Sequence, residues 1–108
     1  MKGINIGGLN KRITIQYDAG TTQDDYGAIT ANWTDLYTCW AKIMPLRGKE
    51  LYEAQQVFPQ MNGKIIIRYY DVKPEYRIKY GTRYFKILEV IQYDEGERVT
   101  EIRYQEDV

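Results

Sequence analysis

The sequence predicts an all-β fold: a small, mainly antiparallel β-barrel of five to seven strands, with a long mid-chain loop carrying a short helix. Three observations carry this. Short runs rich in β-branched and aromatic residues recur along the chain, separated by Gly, Pro and Asp clusters, as in barrels and sandwiches. Eleven of the 108 residues are tyrosine, a residue that favours strands and is enriched at interfaces. Only residues 45–63 break the pattern, with Pro45, Gly48 and a polar run holding few apolar residues. A chain of this length suits one domain, residues 1–108, whose core removes about 65% of the unfolded surface from water.

The elements follow in order. Residues 1–10 are glycine-rich and read as a flexible lead-in. "RITIQY" (12–17) alternates, with Ile13, Ile15 and Tyr17 on one face, so it reads as a strand. "DAGTTQDDYG" (18–27) is a loop or hairpin tip, and "AITANW" (28–33) returns as strand. "LYTCWAKIM" (36–44) is a longer strand, apolar in part on both faces. The segment after it fits two periods. Leu51, Ala54 and Phe58 have helical spacing, whereas Tyr52, Ala54, Gln56 and Phe58 have strand spacing. A short helix over 49–57 is the favoured reading, ended by Pro59, which disfavours α conformation at Phe58. Either way the segment lacks the apolar density to anchor itself and is expected to project from the barrel.

"KIIIRYY" (64–70) is the clearest strand by composition, and "DVKPE" turns the chain because Pro74 cannot donate to a ladder. "YRIKY" (76–80), a tight turn at Gly81-Thr82, and "RYFKILEVIQY" (83–93) follow. The last of these reads as the most buried strand, with Phe85, Ile87, Leu88, Val90 and Ile91 occupying both faces. "DEGE" is a turn, and "RVTEIRY" (98–104) closes the set.

The composition excludes much chemistry. With no histidine and no serine, Ser-His and Cys-His nucleophilic systems and the usual zinc ligand sets are unavailable. Asp18, Asp24 and Asp25 lack the alternating oxygen ligands and terminal Glu of a calcium loop and read as a solvated turn. "INIGGLN" lacks the Lys-Ser/Thr of a phosphate loop. No enzyme, cofactor or metal is expected. The single Cys39 cannot form an internal disulfide and reads as a buried small apolar residue. No signal peptide and no apolar run near 18 residues is visible, so no membrane association is expected. "NWT" (32–34) matches a glycosylation sequon by chance.

Net charge is zero, but it is unevenly distributed. Residues 64–86 hold seven basic residues against Asp71 and Glu75, and residues 87–108 hold seven acidic ones against Arg98 and Arg103. Two readings stand: strand pairs of one sheet carry complementary charge, or the molecule has a positive and a negative side suited to head-to-tail assembly. Two non-enzymatic classes therefore remain. One is a small barrel that binds single-stranded nucleic acid through interleaved aromatic and basic residues; the other is a structural assembly subunit.

Several stretches taken together distinguish them. "LNKRITIQ", "DDYGAITANWTDLYTCWAKIMPLRGKELYEAQQ" and "KIIIRYYDVKPEYRIKYGTRYFKI" occur in an order and spacing that resemble the head–tail joining, or head-closure (stopper-type), proteins of long-tailed bacteriophages and prophages. The resemblance runs from about residue 9 to 104. It departs before "KIIIRY", where members often carry a Thr-His pair and this chain has "PQMNG". The resemblance implies a structural protein that forms a ring of roughly twelve copies beneath the portal or its adaptor. It also implies a tail-completion or tail-tube protein below, packaged DNA in the channel, and residence in the virion after assembly in the bacterial cytoplasm. The polar interruption then corresponds to the family's projecting loop, and Arg47, Lys49, Glu50, Tyr52, Gln55 and Gln56 are the candidates for inter-subunit or channel-facing contact.

Overall fold

The structure is a computed structural model that describes residues 8–20, 22–23, 27, 29–93 and 98–107. The expected lead-in lies mostly outside them. Its strands are β1 (Lys11–Asp18), β2 (Thr22–Gln23), β3 (Ile29–Thr30), β4 (Trp33–Pro45), β5 (Gly63–Arg68), β6 (Arg77–Tyr80), β7 (Arg83–Tyr93) and β8 (Val99–Asp107), with one helix, α1 (Gly48–Gln55), between β4 and β5. Six strands close a barrel in the order β1-β4-β5-β8-β7-β6, and β2 and β3 pair as a separate ribbon. Every strand pair is antiparallel.

Alternation fills the interior. Ile13 and Ile15 of β1, Ala41 of β4, Ile65 and Ile67 of β5, Ile78 of β6, Phe85 and Ile87 of β7, and Ile102 and Tyr104 of β8 form one buried cluster. Branched aliphatic side chains suit such a pleated interior, and each buried Ile or Phe contributes about 1.5–3 kcal/mol. The Phe85 and Tyr104 rings pack at 4.5 Å across β7 and β8.

The 13-residue β4 joins what the sequence divides. Its first part pairs with β1 and its last part with β5, and Ala41 pairs with both Lys11 and Ile67. Ile15 pairs with Tyr37 and Gln16 with Asp35, so Leu36 bulges out of the ladder and is 40% exposed. Cys39, expected to be buried, is half-buried. It lies where β4 has left β5 and has β1 alone beside it.

β7 is not the most buried strand. Its register shifts between Ile87 and Glu89, leaving Leu88 as an extra residue. Beyond that bulge Val90 and Ile91 are only half-buried. β5 takes that place, with Ile65, Ile66 and Ile67 all at 4% exposure or less.

The two ends of the barrel are closed by polar backbone contacts. After β5, Tyr70 N donates to Thr100 Oγ1 at 3.1 Å, Gln92 Nε2 donates to Tyr70 O at 3.0 Å, and Tyr70 stacks on Tyr37 at 4.1 Å. That turn draws the chain off β4. At the other end "PQMNG" forms a plug: Met61 is buried, Leu46 N donates to Asn62 O, Asn62 N donates to Tyr104 O, and Glu106 N donates to Asn62 Oδ1. Gly63, next to it, has no room for a side chain, since a Cβ there would lie 2.6 Å from Met44 O and 2.8 Å from the Tyr104 hydroxyl.

Charges pair within the sheet. Arg83 of the basic run grips Glu106 of the acidic run through Nε (3.0 Å) and Nη2 (2.6 Å). Arg103 bridges Glu89 at 3.0 Å and the buried Glu101 at 3.3 Å. The acidic run therefore does not form a free negative face from Glu89, Glu101 and Glu106; Asp94, Glu95 and Glu97 lie outside the described residues.

Gly63→Ala is expected to destabilise the fold by about 1–3 kcal/mol, because backbone crowds the added methyl; urea unfolding measures it, and an unchanged midpoint contradicts the close approach. The Arg83 hydrogen bonds hold the Glu106 carboxyl below its usual range. A depressed folded-state pKa gives stability that is present above the unfolded value of about 4.3 and is lost as pH falls through the folded one. Because both side chains are partly solvated, Glu106→Gln should cost at most about 1 kcal/mol at neutral pH and nothing once wild type is protonated; a loss that persists in acid argues against this pair as its source.

Candidate functional site

α1 is built to stand off the barrel. Gly48 takes φ +58°, a left-handed turn that glycine adopts without strain, and it swings the chain out of β4 into the helix. Lys49 and Glu53 are paired at i,i+4, at 3.7 Å and largely exposed, which adds only a few tenths of a kcal/mol, roughly 0.3–0.5. Gln56 N bonds Glu53 O, and Val57 N and Phe58 N bond Ala54 O, before Pro59 ends the turn. The helix begins one residue earlier and ends two earlier than the expected 49–57. No residue of it is buried.

The six candidate residues fall into two groups. Arg47, Lys49, Glu50 and Tyr52 are exposed, Tyr52 to 68%. Gln55 is half-buried, and its Nε2 donates to Met61 O at 3.2 Å, tying the helix to the plug. Gln56 is exposed, but its Nε2 donates to Tyr52 O at 3.3 Å. The glutamines thus position the segment; Arg47, Lys49 and Tyr52 are exposed to solvent, and Glu50 is exposed at the edge of the cleft beneath the helix. A cleft of about 350 Å³ separates α1 from the barrel. Leu46, Ala54, Phe58 and Met61 line it, with Lys64 and Arg103 on the barrel side and Glu50 and Glu53 on the helix side.

A second feature, on the outer face of β1, β6 and β7, was not visible in the sequence. The Arg77 guanidinium lies 4.6 Å from the centre of the Trp33 ring and 4.2 Å from that of Tyr84. Its Nε donates to Gln16 Oε1 at 2.7 Å, and Gln16 Nε2 donates to Asp35 Oδ1 at 2.7 Å. Gln16 is buried beneath this stack. A cleft of about 280 Å³ opens beside it, lined in part by Pro74, Tyr76 and Lys86. The sequence signal was the alternation of basic and aromatic residues in 76–86, which marks a face but not its partners.

Other polar groups serve the fold. Asp18 Oδ1 accepts from Gly20 N (3.1 Å) and Asn32 N (3.0 Å), closing the base of the β2–β3 hairpin; Asp24 and Asp25 lie outside the described residues. Among the described residues no group of three or more Asp, Glu, Cys or His is placed to hold a metal ion. Burial pushes the Cys39 thiol up to about 11, against the opposing effect of Arg12, so it is protonated at neutral pH and a poor nucleophile.

Comparison with known proteins bears on the whole chain. A family model described as phage head completion protein matches residues 4–107. Protein SF1141 from Shigella flexneri 2a, solved in solution, is 32% identical, superposes with a TM-score of 0.70, and the match covers 95% of this chain and 96% of that one. A protein of the native gene transfer agent virion shares the fold, at 20% identity and a TM-score of 0.59, over 93% of this chain and 96% of that one. No curated protein matches significantly.

Because nothing in α1 is buried, its amides are expected to exchange hydrogen sooner than those of the inward-facing part of β7. Slow exchange over 48–58, equal to that at 85–87, would show that the segment is anchored as firmly as the core.

Proposed function

The chain belongs to the phage head completion protein family, and on that premise we propose that copies of it form a ring beneath the portal or its adaptor, closing the filled head and presenting the docking surface for the tail. A structural role in the virion goes with the family. On this proposal the portal or adaptor stands above the ring, a tail-completion or tail-tube protein below it, packaged DNA in its channel, and assembly takes place in the host cytoplasm.

The observation that carries it is the contrast between barrel and projection. The barrel fills its core from its strands and from Val72 of the turn after β5, with no residue of α1, while Arg47, Lys49 and Tyr52 at and on α1 are exposed with no core packing to account for them. A strongly exposed tyrosine on a polar helix is suited to become the buried anchor of a contact between proteins. Single-stranded nucleic-acid binding draws less support. Base stacking uses exposed ring faces, and one face each of Trp33, Tyr84, Trp40 and Tyr69 is taken by an arginine, while Tyr37 and Tyr70 cover each other.

The test is complementation of DNA-filled heads that lack this chain. Added wild-type protein should restore tail joining and DNA retention, and failure to do so refutes the reading. Tyr52→Ala should leave the fold within about 0.5 kcal/mol of wild type and lower joining about tenfold, equally at low and high salt, since an apolar anchor is not screened.

A further inference from the structure

β4 carries an open edge. Over residues 41–45 it pairs with β5, but over residues 37–40 it has β1 on one side and no strand on the other. Only alternate residues of an antiparallel strand turn their N–H and C=O toward a given neighbour. The groups that β1 does not use therefore lie along the open side. No hydrogen bond outside the β1 ladder reaches the backbone of residues 37–40 among the described residues.

A cleft of about 280 Å³ follows this edge. Successive side chains of a strand point to opposite faces. A cleft lined by Tyr37, Thr38, Cys39 and Trp40 together thus runs along the edge and not over one face. Leu36 and Tyr37 are each 40% exposed and Trp40 52%, so apolar surface flanks the open backbone.

The cleft is also positively charged. Arg12 and Arg68 line it, and no acidic residue does among those described. Arg12 pairs with Trp40 across β1 and β4, and its guanidinium lies 4.9 Å from the centre of the Trp40 ring. Arg68 ends β5, next to Ile67, which pairs with Ala41. Both arginines are exposed, and neither has an ion pair among the described residues.

These features select an occupant. An open edge takes a strand, through main-chain hydrogen bonds. Two unpaired cations beside it favour carboxylates on that strand. The same edge of a second copy would bring like charges together, which is disfavoured. This chain's own strand carboxylates at Glu89, Glu101 and Glu106 are already paired with Arg103 and Arg83. Nucleic acid matches less well, because the edge offers C=O acceptors as well as N–H donors and a phosphate backbone brings no donor to meet them.

We propose that residues 37–40 of β4 receive an extended, acidic segment of a different protein, which adds a strand to the open edge and sets its carboxylates on Arg12 and Arg68. The contact goes beyond the ring reading and holds or fails without it.

The test uses the full chain and a library of random decapeptides displayed on their own messenger RNA. Selected peptides are expected to alternate Asp or Glu with β-branched residues and to lack central proline. The strongest of them should bind Arg12→Glu/Arg68→Glu at least about tenfold more weakly than wild type. Both positions are exposed and outside the core cluster, so the fold survives the change. Two further readouts use the wild-type chain. Bound peptide should slow hydrogen exchange at alternate amides within residues 37–40 by at least about tenfold. N-methylation of one alternate set of peptide amides should abolish binding, and methylation of the other set should leave it within about threefold, as one edge of an added strand requires. The proposal is overturned if no peptide is enriched, if the enriched peptides are not acidic, or if exchange at residues 37–40 is unchanged. A short oligothymidine that protects these amides more tightly than the selected peptide overturns it in favour of nucleic acid. Protection that appears in the chain alone as its concentration rises overturns it in favour of a second copy.

Discussion

The barrel closes through one narrow seam. β1 and β6 pair only through Thr14–Lys79, Ile15–Ile78 and Gln16–Arg77. Inside the seam, Ile15 and Ile78 are fully buried. Outside it, Gln16 and Arg77 are hydrogen-bonded and capped by Trp33 and Tyr84. Without this closure β1 and β6 would each present a free edge, and free edges recruit other strands. The aliphatic pair supplies the apolar burial and the cation stack covers it, so the same residue, Arg77, both closes the fold and shapes its most distinctive surface.

Closure also explains why the middle of the chain is free to be polar. The plug at Met61 and Asn62 finishes the end of the barrel with backbone hydrogen bonds and one buried side chain. The segment between Pro45 and that plug has no part of the barrel interior to fill. Gly48 redirects the chain, Gln55 ties the helix back to Met61, and the rest faces water or a partner. The division of labour is local: apolar alternation holds the barrel, and side-chain amides hold the projection.

Much of this was legible in the sequence, because period-two alternation is a short-range property. β1, β5, β6 and β8 follow directly from "RITIQY", "KIIIRYY", "YRIKY" and "RVTEIRY". The projecting helix was legible from Gly48, Pro59 and the scarcity of large apolar residues. Bulges were not. An extra residue at Leu36 or Leu88 reverses the faces of the residues beyond it, and its presence depends on a partner strand distant in sequence; this is why β7 reads as more buried than it is. Charge was misleading for the same reason. The acidic run looks free along the chain but meets Arg83 and Arg103 across the sheet. The Arg77 stack draws on Gln16, Trp33 and Tyr84, which only the closed barrel assembles. The family was legible from motif order, which no single strand reveals.

The absence of buried residues in α1 has a bearing on how such a chain diverges. A side chain in the barrel answers to its own neighbours: Gly63 cannot drift while Tyr104 and Met44 stay where they are. An exposed side chain on α1, such as Lys49 or Tyr52, answers to no residue of the core. Substitutions at such exposed positions leave folding nearly untouched, so selection on them comes from outside the molecule. The projection can follow a changing neighbour over generations while the barrel beneath it remains recognisably the same.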